Sequence, residues 1–155
     1  MGKSVSIIGL KELKQKFENM AKVEVFLKQI INKQLLLVQA QAKLLCPVDT
    51  GQLRNSINVD VEVRGKNIIG KVYTNCSWAM FVEFGTGARG NGTYPYPISG
   101  LTYKNSGWCY FSEKENKWIY TTGQPAQPYL YPALKDNEVK ILENIRQEII
   151  NTIRG

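Results

Sequence analysis

The chain contains no histidine. That absence removes the commonest general base, the Ser/His and Cys/His nucleophile arrangements, and any Cys/His zinc site. Cysteine is scarce too. Cys46, Cys76 and Cys109 are odd in number, widely spaced and form no C-x-x-C pair, so they spell neither a disulfide framework nor a paired-cysteine metal site. The expectation is three reduced, mostly buried thiols, the usual environment of free cysteine. No run approaches the ~20 apolar residues that a membrane-spanning helix needs. Met1-Gly2-Lys3-Ser4 has no apolar h-region behind it, which reads as a cytosolic product without a signal peptide. Internal repeats and low-complexity segments are also missing.

What is present suits one globular domain. At 155 residues with 43% hydrophobic side chains, the chain can bury a core without covalent staples. The formal charge of +7 is unevenly placed: residues 1–71 hold twelve Lys/Arg against six Asp/Glu, and residues 72–155 hold eight against seven. A basic half can attract nucleic acid or an acidic protein surface. It can equally be the solvated face of amphipathic helices carrying Lys11, Lys14, Lys22, Lys28 and Lys33, and no arginine cluster or aromatic interleaving marks direct readout.

Apolar spacing predicts a short helix over 9–21 (Leu10, Leu13, Phe17, Met20), an N-terminal extension of some 22 residues. A longer helix over 23–45 follows, with Phe26, Leu27, Ile30, Ile31, Leu35, Val38, Ala42 and Leu45 facing a core. Pro47 stops it. Ile57, Val59, Val61 and Val63 then alternate with polar residues, and 68–73 returns as the second strand of a hairpin. Ser77 is placed to cap a helix over 78–84, ended by Gly85 and packing Trp78, Phe81 and Phe84 inward. Residues 85–103 are rich in Gly, Pro, Asn and Tyr and predict a long exposed loop. Aromatic runs at 108–111 and 117–120 predict a second hairpin. A last helix starts near Pro132, with Leu134, Ile141, Leu142, Ile145, Ile149 and Ile153 as its stripe. Segregated helices and hairpins make the fold class α+β: a small, mainly antiparallel sheet packed by the long N-terminal helix and the C-terminal helix.

Gly85-Thr86-Gly87-Ala88-Arg89-Gly90 has the letters of a dinucleotide fingerprint. That chemistry also needs a helix opening behind the glycines, and Asn91-Gly92-Thr93-Tyr94-Pro95 argues against one. Asp49 and Glu83 could form the carboxylate pair a glycosidase needs. Each lies beside a glycine turn, where a cap or an ion pair with Arg54 is the commoner role. No cofactor, metal or small-molecule substrate is expected, and the chain reads as a non-enzyme. Tyr94, Tyr96, Tyr103, Trp108, Tyr110 and Trp118 are many for one small core. Either they anchor a subunit interface, where Trp and Tyr dominate binding energy, or they cover the sheet locally.

Four stretches carry a more specific message: Cys46-Pro47-Val48-Asp49-Thr50-Gly51-Gln52-Leu53-Arg54-Asn55-Ser56-Ile57; Trp78-Ala79-Met80-Phe81-Val82-Glu83-Phe84-Gly85-Thr86-Gly87; Gly107-Trp108-Cys109-Tyr110-Phe111; and Gln124-Pro125-Ala126-Gln127-Pro128-Tyr129-Leu130-Tyr131-Pro132-Ala133-Leu134. In this order, from about Leu35 to Leu134, they resemble the gene-ten-product family of head–tail connection or tail components of long-tailed bacteriophages. The resemblance implies a structural protein of the phage or prophage neck or upper tail. It would form a ring, contact neighbouring head-completion and tail proteins, lie close to DNA, and sit in the host cytoplasm before assembly. The positions carried over, Asp49, Thr50, Gly51, Leu53, Arg54, Glu83, Phe84, Gly85, Thr86, Pro128 and Pro132, are then a turn, a glycine loop and a closing connector rather than catalytic groups. The other reading open at this point is a small basic nucleic-acid-binding protein.

Overall fold

A computed structural model describes residues 10–65 and 67–154. Expectations for Met1–Ser4, for Gly155 and for the side chains of Leu10, Lys11, Leu13, Lys14, Phe17, Met20 and Ile153 lie outside the described residues. The architecture is α+β. Helix α1 runs Leu10–Leu45 and α2 Gln52–Asn55; strands β1 (Ile57–Arg64) and β2 (Asn67–Thr74) follow, then α3 (Ala79–Phe84) and the single turn α4 (Gly87–Gly90). Strands β3 (Trp108–Ser112) and β4 (Lys117–Thr121), the short β5 (Gly123–Gln124) and helix α5 (Leu130–Arg154) complete the chain. The four long strands form two separate antiparallel pairs, β1 with β2 and β3 with β4. Among the described residues no helix is long and apolar enough to cross a membrane.

The two N-terminal helices expected from the sequence are one helix of 36 residues. Ala21 and Lys22, at the expected break, are good helix formers and nothing stops propagation there. Its inner stripe, Ile30, Gln34, Leu35, Val38 and Ala42, is buried, whereas Leu45 is exposed, contrary to expectation. Against this stripe lie α5 on one side and the first hairpin on the other. The Asn144 amide donates to Gln34 Oε1 at 2.9 Å, and Gln39 Nε2 donates to the Ile57 carbonyl at 2.7 Å, so the buried Gln34 and the half-buried Gln39 are each matched across an interface. Gly70 sits where α1 crosses β2. A Cβ there would lie 2.8 Å from an Ile31 methyl and 2.9 Å from one of Leu35.

In the first hairpin Ile57 pairs with Thr74 and Arg64 with Asn67. Its inward residues join Val38, Ala42, Cys46, Leu53, Ala79, Tyr129 and Ala133 in the core. The α1–β1 connection turns at Gly51, whose φ of 81° is the left-handed value that favours glycine. The inward face of α5 carries the buried Ala133 and the half-buried Asn137, Ile141 and Asn144; Leu134 and Leu142, expected in its stripe, are 51% and 62% exposed.

Two outcomes follow. Gly51→Val should lower stability by about 1–2 kcal/mol, because a β-branched residue is strained at positive φ; an unchanged urea midpoint would remove the turn argument. On the first hairpin, the hydrogen bond from the Lys71 ammonium holds the Glu62 carboxyl below its ordinary range; it outweighs the opposing effect of burial, and Arg64 at 2.8 Å adds to it. A depressed folded value stabilises above the ordinary carboxylate range and is lost as pH falls through the folded one. Glu62→Gln should therefore flatten the acid limb of the stability–pH curve, and parallel curves for the two proteins would contradict this.

Candidate functional site

The motif residues fall in two places: Asp49, Thr50, Gly51, Leu53 and Arg54 form the α1–β1 turn, whereas Glu83, Phe84, Gly85, Thr86, Pro128 and Pro132 lie at one junction, where the end of α3 meets the start of α5. Helix α5 begins after Pro128-Tyr129, with no Ser, Thr, Asp or Asn at its entry and no acid in its first turn. Its leading N–H groups would be orphans by local chemistry. Glu83 supplies their acceptor from 46 residues away: Oε2 accepts from the Tyr129 and Leu130 amides at 2.8 and 3.0 Å, and Oε1 from Tyr131 at 3.1 Å. Pro132 follows and has no N–H to satisfy. The carboxylate also faces the positive end of the helix dipole. Glu83 is 4% exposed, so these bonds form where water does not compete.

The exchange is reciprocal. The last carbonyls of α3 lack helical partners, and the segment leading into α5 provides them. The Gln127 amide donates to the Val82 carbonyl at 2.8 Å and Gln124 Nε2 to that of Phe81 at 3.0 Å. The Tyr103 hydroxyl donates to the Phe84 carbonyl at 2.8 Å. Each helix end thus completes the other.

Glycines let the backbones meet. Gly85 leaves α3 with φ 77°, and a Cβ on it would lie 2.7 Å from the Ala126 nitrogen. A Cβ on Gly87 would overlap the Thr122 carbonyl, and one on Gly123 would overlap that of Thr86. Thr86 and Gly87 bridge to Gln124 and Gly123, and Thr86 Oγ1 accepts from the Gln124 amide at 3.2 Å. A single helical turn lies within the glycine fingerprint, at Gly87–Gly90, and the chain turns extended at Asn91, so no helix opens behind the glycines, as the sequence argued. The Arg89 and Asn91 amides donate to the Thr122 and Gly87 carbonyls. The first part of the expected exposed loop 85–103 is therefore pinned: Gly85, Gly87 and Gly90 are buried.

Other expectations need correction. Glu83 and Ala79 form the buried face of α3, while Trp78 and Phe81 are 41% and 50% exposed. The face was inverted because α5 requires a carboxylate there. Ser77 makes no cap; the capping residue is Trp78, without a side-chain bond. Among the described residues, Arg54 forms no ion pair with Glu83 or Asp49. Arg54 is exposed, and Asp49 lies 3.8 Å from Lys114 with both side chains 85% exposed. Thr50 is exposed and Leu53 buried under the turn. Cys46 is buried, Cys76 half-buried and Cys109 exposed, so the thiols are not uniformly inside.

The aromatics divide. Tyr94 packs edge-on to Phe84 with centroids 5.0 Å apart, and Tyr96 lies 4.5 Å from Tyr131. These, with Tyr103, serve the junction. Burial, and then the Glu83 carboxylate, push the Tyr94 hydroxyl up to about 12. Burial likewise raises Tyr129 and the Cys46 thiol, which leaves that thiol a poor nucleophile. Trp108 is half-buried against Gly87, whereas Tyr110 and Trp118 are 46% and 71% exposed. Beside them lies an open apolar cleft of about 910 Å³, lined by Trp78, Met80, Phe81, Leu101, Trp108 and Tyr110 among others.

A family model described as "Bacteriophage HK97-gp10, putative tail-component" matches residues 11–85. It covers α1, the Asp49–Gly51 turn, the first hairpin and α3 through Gly85, and bears out the resemblance carried by the motifs within it. The stretches 107–111 and 124–134 lie beyond the matched residues. Comparison with curated proteins and with solved structures found no match.

Glu83→Ala should cost about 3 kcal/mol or more, since it strands buried N–H groups that now bond a charged acceptor. Glu83→Gln, which keeps one acceptor oxygen, should fall between. Urea melts of the three proteins check this order, and an alanine variant as stable as the parent would contradict it.

Proposed function

We propose, taking the HK97-gp10-like tail-component match over residues 11–85 as the premise, that this protein is a ring-forming structural subunit of a phage or prophage head–tail connection or upper tail. Its neighbours are head-completion and tail proteins, and its place is the virion after passage through the host cytoplasm. The observation that carries the assembly role is surface chemistry. Trp78, Met80, Phe81, Tyr110, Phe111, Trp118 and Tyr120 are each 41% exposed or more. Trp78, Met80, Phe81 and Tyr110 line the cleft beside α3, and Phe111, Trp118 and Tyr120 share the other face of the β3–β4 hairpin, two exposed apolar surfaces of the kind that mark a binding face.

The reading is also of a non-catalytic protein. The carboxylate best placed for chemistry, Glu83, has both oxygens committed to backbone N–H groups, and the Asp49 carboxylate stands in solvent. The buried thiol at Cys46 is shifted away from its reactive form.

Deleting the gene from an inducible phage and imaging the lysate by electron microscopy tests the proposal. The expected result is DNA-filled heads separated from tails, or heads with defective tails. Normal infectious particles would overturn it.

A further inference from the structure

The β3–β4 hairpin has two apolar faces, and the fold uses one. Cross-strand pairing puts Cys109 opposite Tyr120 and Phe111 opposite Trp118. By the alternation of strands, these four share a face. All four are exposed, Trp118 at 71%, Tyr120 at 67% and Phe111 at 46%. The opposite face, with Trp108 and Tyr110, borders the cleft beside α3. A two-stranded hairpin is marginal on its own, and a third layer is the usual remedy.

The same chain offers a surface of matching kind. The outer side of α1 carries Leu36 and Leu37 at 47% and 44% exposure and Leu44 at 80%, with the exposed Ala40 between them. This spacing makes a ridge along the helix. It faces away from the stripe that packs on α5 and the first hairpin, and the chain's own β3–β4 hairpin does not cover it, as the exposure of Leu44 and Trp118 shows.

We infer that the outward face of the β3–β4 hairpin seats on the α1 ridge of a second copy of this chain, head to tail. This rests on the structural-subunit reading above. Covering an aromatic removes roughly 150–250 Å² from water, so Phe111, Trp118 and Tyr120 hold on the order of 300–450 Å² in reserve at their present exposure. That is the larger part of the apolar share, about 450–520 Å², of a standard interface of ~800 Å² per partner. Helix on sheet is also the layer pairing of α+β folds. Both halves sit on every copy, so a head-to-tail contact covers both at once and continues from subunit to subunit. A hairpin paired with itself would leave the ridge in water and stop at two.

The test is sedimentation velocity of the purified full chain over a wide concentration range, for wild type, Trp118→Glu, Leu44→Glu and a 1:1 mixture of the two variants. Both positions are strongly exposed, and unchanged circular dichroism and melting midpoints establish folding. Wild type should associate beyond a dimer. Each variant alone should associate at least about tenfold more weakly. The mixture should halt at a dimer, because only one of its two pairings joins an intact hairpin to an intact ridge. Either variant associating like wild type would overturn the inference, as would a dimer that survives Leu44→Glu but not Trp118→Glu, which means hairpin on hairpin. A wild-type chain that stays monomeric throughout would overturn it too. If gene deletion then still separates heads from tails, the structural-subunit reading stands and another virion protein covers the hairpin; if deletion leaves normal particles, both fail.

Discussion

One carboxylate joins the two halves of this molecule. Helix α5 opens on Pro-Tyr-Leu-Tyr-Pro, a sequence that excludes a local cap, and the first of its N–H groups, that of Tyr129, is buried in the core. A helix begun this way needs an acceptor from elsewhere, and Glu83 delivers one with both oxygens. Hydrogen bonds to a charged acceptor are worth more than neutral ones, and buried donors left without it carry the full desolvation cost. The direction of α5, its contact with α1 and the burial of Tyr129 and Ala133 all follow from where that carboxylate sits.

The constraint spreads outward through backbone contact. To aim Glu83 inward, α3 must turn Trp78, Met80 and Phe81 outward. To bring residues 122–127 against the end of α3, Gly85, Gly87 and Gly123 must lack side chains. The tyrosines at 94, 96 and 103 then close over the junction, while the second hairpin, attached through β5 and Trp108, is left with one uncovered aromatic face. A stabilising requirement at the core therefore leaves exposed the apolar surface on which the proposed assembly role rests.

Much of this was legible in the sequence, for identifiable reasons. Helical spacing at Ile30–Leu35–Val38–Ala42, strict alternation at Ile57–Val63 and the aromatic runs about 112–117 are local signals, and the elements they imply exist. Gly51 was legible because Asp-Thr-Gly after a helix-stopping proline has few other conformations. For Glu83 a cap was one of the roles the sequence offered, but which helix it caps was not legible, since its partners lie 46 to 48 residues away and Trp78, Phe81 and Phe84 suggested an apolar face. One signal did exist: a helix start without a capping residue of its own points to a cap supplied from another part of the chain. The division of the aromatics was illegible for a related reason, since composition reveals a surplus but not which rings the junction consumes.

Native-state hydrogen exchange at the Tyr129, Leu130 and Tyr131 amides tests the role of the carboxylate most directly. If Glu83 holds the start of α5, these three amides should exchange only through the global unfolding that also releases the core of α1. Exchange at the rate of the exposed 98–102 segment, with α1 still protected, would show that the junction opens on its own and that the fold does not depend on it.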